Sequence, residues 1–155
     1  MGQRAAALAD QLENALANFA AAIEGCSDEQ WTSGRTTEGW SVAATAQHVA
    51  GQFPLELEYI TAAAESKTMP GYSWDDINGK NDGRASANMS AKKSDVIAQL
   101  KKEGGAAASY VRGLSDEQLD RTAPLKLADG AMVSTQQLIE GGVLIAHVTG
   151  HLESM

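Results

Sequence analysis

The 155-residue sequence contains three histidines, and two of them, His147 and His151, stand four residues apart. On a helix that spacing sets two side chains about 40° apart, one turn above the other, so both imidazoles can reach a single ion. The pair follows the run Gly142-Val143-Leu144-Ile145-Ala146, which belongs in a core, where a buried imidazole needs a partner. The third, His48, lies about 120° from the centre of the stripe Val42/Val49/Phe53/Ile60, a rim position. Its neighbours Ala43, Ala44, Ala46, Ala50 and Gly51 are nevertheless small enough for helices to pack on several sides. Periodicity leaves both placements of His48 open.

Three neutral nitrogen ligands leave one position for water or substrate, the arrangement of a catalytic rather than a structural zinc. Such an ion lowers the pKa of bound water towards about 7 and deprotonates a bound thiol. A zincin-type protease is excluded, because Val148 follows His147 where that mechanism needs a glutamate base. Glu140, two turns before His147, and Glu56, about two turns after His48, are the candidates to hold an imidazole from behind; the alternative for each is a solvated surface carboxylate. So few acid–base groups favour chemistry that needs only a Lewis acid. A thiol co-substrate that brings its own nucleophile is one case, and hydrolysis by water activated at the ion is another. Tyr72, Trp74, Asp75 and Asn78 could line a substrate pocket, with loop packing and helix capping as the alternative, and Arg84 could pair with a substrate carboxylate. Trp31, Trp40 and Phe53 read as core, and Cys26 as a small buried hydrophobe.

Helices must position these residues. Leu8, Leu12, Ala15, Leu16, Phe19 and Ile23 recur at helical steps over 5–24, and Gly25 ends the run. A second helix is expected from Ser41 to Glu65, carrying Pro54 inside it and a kink near Ala50 to Pro54. A third spans about 91–113 on Val96, Leu100, Ala107 and Val111, with Gly104 and Gly105 weakening its middle. The fourth starts at a capping box, Ser134 with Gln137, and is expected to run to the chain end. Residues 66–90 then form the long crossover a bundle needs between parallel neighbours, with Ser73-Trp74-Asp75-Asp76 able to start a short helix. Asp129-Gly130 could turn a small hairpin over 125–133. Ser27-Asp28-Glu29-Gln30 and Ser115-Asp116-Glu117-Gln118 repeat one capping box after the first and third helices, as two similar helical hairpins would. The fold class is all-α: a four-helix bundle with a long crossover between helices two and three, forming a single domain over 1–155.

Gly39-Trp40-Ser41-Val42, then Gln47-His48-Val49, and the late His147-x-x-x-His151-Leu152 together resemble the DinB-like superfamily of metalloproteins (DinB/YfiT-like). The resemblance spans nearly the whole chain, including the Ser-Asp-Glu-Gln turns and Ile77-Asn78 in the crossover. It implies that His48, His147 and His151 are the ligands of a divalent metal, commonly zinc or nickel. It also implies a family that includes thiol-dependent transferases and a mycothiol-dependent isomerase, and a homodimer.

The bulk properties bound the partners. A net charge of −8 and a pI near 4.8 argue against nucleic acid and against anionic membranes, leaving a small-molecule substrate. No window approaches a transmembrane span. The start MGQRAAALAD lacks a signal peptide's apolar core, and Ala6 stands where a myristoylation motif wants Ser or Thr. A single cysteine cannot form an internal disulfide and fits a reducing cytoplasm. The functional expectation is a metal-dependent enzyme acting on a small molecule, either thiol-dependent or hydrolytic, with a non-catalytic metal-binding or stress-response bundle as the alternative.

Overall fold

The computed structural model describes residues 2–87 and 91–155, with 84–87 by backbone only. Helix α1 (Gln3–Gly25) buries the expected stripe Leu8, Leu12, Leu16, Phe19 and Ile23. It packs antiparallel on α5 (Lys93–Arg112): Arg112 bonds Asp10 at 2.8 Å and Glu13 at 3.0 Å, while Lys101 lies 3.8 Å from Glu24. Between these ends Gly104 faces Leu16 so closely that a Cβ would lie 2.7 Å from both leucine methyl carbons. One of the two helix-weakening glycines thus sets how near the helices come.

Helix α3 (Val42–Ala64) is capped by Ser41, whose hydroxyl accepts from the Ala44 N–H at 3.0 Å. It runs unbroken through Pro54, whose ring faces outward. There the solvent can satisfy the carbonyl that loses its donor. Gln47 donates to Gln99 at 3.1 Å near the starts of α3 and α5, and Arg121, beyond the end of α5, reaches the Ala64 carbonyl at the end of α3. The two helices are therefore parallel neighbours, which is why the chain needs its long crossover. Within that crossover lies α4 (Trp74–Ala87), 14 residues rather than a single turn. Ser73 and Asp76 cap it reciprocally, at 3.1 and 2.9 Å.

Both repeated Ser-Asp-Glu-Gln segments form reciprocal capping boxes, at the starts of α2 (Asp28–Ser33) and α6 (Asp116–Asp120). Strands β1 (Thr122–Leu125) and β2 (Ala131–Ser134) pair antiparallel through a 3-10 turn over Lys126–Ala128. Asp129 and Gly130 take the left-handed conformation at φ 55° and 80°, as the Asp-Gly signal implied.

The fourth helix departs from expectation. Its Ser134/Gln137 capping box forms, but α7 (Thr135–Glu140) stops at Gly141, and the chain turns through 141–144 before α8 (Ile145–Ser154). A Cβ on Gly141 would lie 2.8 Å from the Gln137 carbonyl. The Ala146 N–H then bonds the Gly141 carbonyl, five residues back, at 3.0 Å, so the helix restarts out of phase with α7. The four bundle members are α1, α3, α5 and the broken α7–α8. Phe19, Phe53, Leu12, Ile23, Ile60, Leu100 and Leu119 are fully buried between them, each stabilising the fold by about 1.5–3 kcal/mol. Among the described residues no helix is long and apolar enough to cross a membrane.

Candidate metal centre

The break at 141–144 leaves His147 in the first turn of α8, with His151 one turn on. Both face α3, while Val148 between them is fully buried in the core. His48 comes from α3 and is only 2% exposed, so the small side chains around it bury it instead of leaving it at a rim. The Nε2 atoms of His48 and His147 lie 2.9 Å apart, and one ligand atom from each of the three histidines lies within 4.8 Å of the others. The rings stand nearly perpendicular to one another, with centroids 4.6 to 5.0 Å apart. Trp40 sets its edge against His48 at 5.4 Å.

This set fits a divalent cation. Tetrahedral metal–nitrogen bonds of about 2.0–2.1 Å place ligand nitrogens about 3.3 Å apart, so small ring rotations bring the cluster to ligating geometry. Burial pulls the pKa of His147 down to about 4. The same value holds for His151, again chiefly through burial and then through His147, against the opposing pull of Glu38. Both imidazoles are therefore neutral near pH 7, the form that ligates.

Carboxylates stand behind two of the rings. Glu56 Oε1 is 2.7 Å from His147 Nδ1, on the side of the ring away from His48. The contact is close without the alignment of a linear hydrogen bond. Burial pushes the Glu56 carboxyl well above the usual range. Glu38, in the loop before α3, lies 3.6 Å from His151 Nδ1. Burial raises its carboxyl, but its own backbone N–H, Thr36, Ser154 and His151 outweigh that and hold it below the ordinary value. The Thr37 N–H donates to the Ser154 carbonyl at 3.1 Å, tying this loop to the end of α8. Sequence reasoning missed Glu38, because the loop offers no periodicity to place it.

The other predicted residues separate. Glu140 does not approach the histidines: it is exposed on α7 and accepts from Gln136 at 2.9 Å, because the break rotates α7 out of phase with α8. Trp74 lines a cavity of about 440 Å³ that also includes all three histidines. Tyr72 lies outside that wall, under the Lys80 ammonium at 3.9 Å, and Asp75 and Asn78 are exposed on α4. Ile77 and Asn81, on the inward face of the same helix, line the cavity instead. The side chain of Arg84 lies outside the described residues. Trp31 and Phe53 are core residues, whereas Trp40, read as core, is half-buried in the cavity wall. Cys26 is half-buried against the core, its thiol donating to the Ala22 carbonyl.

The most useful overlooked signal is a second stripe on α3. His48, Gln52, Glu56 and Tyr59 follow at steps of four, four and three, one helical face, and all four are buried and line the cavity.

The family model of the DinB superfamily matches residues 11–155. In sequence, no curated protein matches the chain. Among solved structures, an uncharacterised protein from Clostridium difficile 630 is similar over 99% of this chain and 94% of its own, with a TM-score of 0.73 and 13% identity. A mycothiol-dependent maleylpyruvate isomerase is similar over 99% of this chain, with a TM-score of 0.74 and 12% identity, and this chain spans 63% of its length. YfiT from Bacillus subtilis, described as a probable metal-dependent hydrolase with an unusual four-helix bundle topology, covers 99% of this chain and 89% of its own, at TM-score 0.68 and 18% identity. A further similar structure, at TM-score 0.68 and 14% identity over 94% of this chain and 91% of its own, is the colibactin self-resistance protein ClbS in complex with double-stranded DNA. That complex overturns the expectation that nucleic acid is excluded. Net charge sums over a whole surface, whereas DNA contact is made by one local face.

Proposed function

This chain belongs to the DinB superfamily, and from that premise we propose that it is a metal-dependent enzyme acting on a small molecule. His48, His147 and His151 would hold one divalent ion, zinc or nickel, with a coordination position left open towards the cavity. The convergence of three imidazoles, His48 buried and His147 and His151 half-buried, at the wall of that cavity is the observation that carries this reading. An ion bound there supplies Lewis acidity, which lowers the pKa of a thiol or water brought to it.

The chain's own residues do the rest. Glu56 stands 2.7 Å behind His147 Nδ1 and, with a small rotation into hydrogen-bond alignment, would hold the ring with Nε2 facing inward. Glu38, more exposed and 3.6 Å from His151 Nδ1, faces that ring from behind as a charge and not as a hydrogen-bond partner. Among the described residues of the cavity wall, Glu56 is the one carboxyl, and both its oxygens are buried, with Oε1 beside His147 Nδ1. Such a wall favours a reaction whose nucleophile needs no protein base. A low-molecular-weight thiol co-substrate meets that requirement, in a transferase or isomerase reaction. The second reading is metal-dependent hydrolysis, favoured by the likeness to YfiT.

Metal analysis of the purified protein, repeated on His147→Ala, tests the centre. About one equivalent of zinc or nickel is expected in the wild type, with most of it lost in the variant. Stoichiometric metal retained by His147→Ala sinks the proposed ligand set. Metal bound with no turnover of electrophiles in the presence of thiols, nor of esters and amides in water, points to a non-catalytic bundle.

A further inference from the structure

Large apolar side chains of this protein are mostly buried, yet Trp74 keeps 58% of its surface exposed. It is not loosely placed. Its indole N–H donates to the Leu127 carbonyl at 2.8 Å, a bond across 53 residues that joins the first turn of α4 to the 3-10 turn of the hairpin. The bond holds the ring in the wall of the 440 Å³ cavity, together with Leu55, Ile77, Leu127 and Val143. Trp40 lines the same cavity at its histidine end.

Walls of this kind discriminate by desolvation. Along the stretch formed by Trp74 and these aliphatic residues a polar group would give up its water with little in return, whereas an apolar one gains from covering it. Gln52, Tyr59 and Asn81 add polar groups elsewhere in the wall. A planar group gains further, since aromatic rings stack or meet edge to face with additional stabilisation. The volume suits one small molecule.

Building on the metal centre proposed above, we infer that the cavity receives an apolar, aromatic group of the substrate, with Trp74 as the residue that selects it. The reacting end of that substrate points to the histidines, and its aromatic body lies along Trp74. Trp74 acts on specificity, while the metal ligands act on chemistry.

The neutral fluorophore N-phenyl-1-naphthylamine, titrated into the full-length protein with metal bound and after chelation, tests this. Saturable 1:1 uptake is expected in both states, displaced by 1-naphthol and not by glucose at equal concentration. Trp74→Ala should weaken uptake about tenfold. Trp74→Phe, which keeps a ring, should stay within about threefold, and should show that a loss in Trp74→Ala is not a loss of folding. Met132→Ala, which truncates a side chain that is 61% exposed and outside the cavity wall, should bind as the wild type does. Absence of saturable uptake, or equal binding by Trp74→Ala and the wild type, overturns the inference. So does a Met132→Ala loss as large as that of Trp74→Ala. Because the chelated protein is read as well, failure of the metal centre leaves the expected probe binding intact. Failure of this inference, in turn, leaves metal affinity intact.

Discussion

Removing the Glu56 carboxyl should loosen the metal without touching a ligand. Its Oε1 lies 2.7 Å from His147 Nδ1, while His147 Nε2 faces His48 Nε2 at 2.9 Å. The carboxyl therefore holds the far side of a ring whose near side must ligate. Loss of such outer partners costs about 10–100-fold in metal affinity, or about 1.4–2.7 kcal/mol. Glu56→Ala should fall in that range, measured by competition with a fluorescent zinc chelator at pH 7.5. Glu56→Gln keeps an oxygen that can accept from Nδ1–H, and should stay within about threefold of the wild type. Glu140→Ala is the matched control. It removes the other carboxylate that helical spacing nominated, but one that sits exposed on α7 and bonds Gln136, so its affinity should be unchanged. Circular dichroism of each variant separates loss of metal from loss of fold. If Glu56→Ala binds zinc as tightly as the wild type, or Glu140→Ala weakens it equally, the assignment of Glu56 behind His147 is wrong.

Two further outcomes concern stability. Burial holds His147 and His151 down to about 4, so between pH 6.5 and 4.5 the unfolded chain takes up as many as two protons that the folded protein refuses. Glu56 pulls the other way, keeping in the folded state a proton that the unfolded chain has released. Glu56 thus offsets part of the imidazoles' effect, so the metal-free protein should lose stability as pH falls through that window, by less than the two-proton limit of about 2.7 kcal/mol per pH unit. Urea melts at pH 6.5 and 4.5 read this directly, and flat or rising stability on acidification would contradict the burial of neutral imidazoles. The Gly104-Gly105 doublet should split: Gly105→Ala meets nothing within 4 Å and should gain about 1 kcal/mol of helix propensity. Gly104→Ala drives a Cβ to 2.7 Å from the Leu16 methyl carbons, and overpacking of about 1–3 kcal/mol should cancel or reverse the same gain. Equal urea midpoints for the two variants would show that Leu16 moves aside at no cost.

Where a physical rule acts on neighbours in the chain, the sequence could be read directly. The capping boxes at Ser27, Ser115 and Ser134 form because serine and glutamine three residues apart satisfy each other's backbone locally. Asp129-Gly130 turns its hairpin for the same kind of reason. The first three bundle helices follow from apolar periodicity, and the length of the crossover follows from the parallel run of α3 and α5. What could not be read depends on phase. Gly141 and Gly142 look like tolerable weak points in a long helix, yet the i to i−5 bond at Ala146 resets the register. Every face relation carried across that break is lost, and Glu140 is the residue that suffers by it. The same local rule that places Ser73 and Asp76 at the start of α4 does not say which of its faces turns inward, so it leaves Asp75 and Asn78 as candidates where Ile77 and Asn81 line the wall.

The case of His48 is different, because the periodicity was sound and its usual interpretation was not. A residue 120° from an apolar stripe is exposed only if the helix has a single buried face. Helix α3 buries Val49, Phe53 and Ile60 in the core, and it packs not only on α5 but also against α4, α7 and α8, which closes a second side. That second face carries His48, Gln52, Glu56 and Tyr59, groups with polar atoms at helical spacing that apolar periodicity alone does not bury. Burying them costs desolvation, which the raised Glu56 carboxyl and the lowered His147 imidazole record. A fold that only needed a core would place leucines there. A metal centre needs those groups dry, neutral and fixed, so a regular polar stripe on an otherwise alanine-rich helix is a pattern by which such a site can be sought in the amino-acid sequence itself. The rule is exposed to test within this chain: Tyr59→Phe, which removes a buried hydroxyl that makes no hydrogen bond among the described residues, should raise stability while leaving the stripe's histidine in place. If stability falls instead, that hydroxyl is held by an interaction stronger than the desolvation it costs, and the stripe marks a structural network rather than a site.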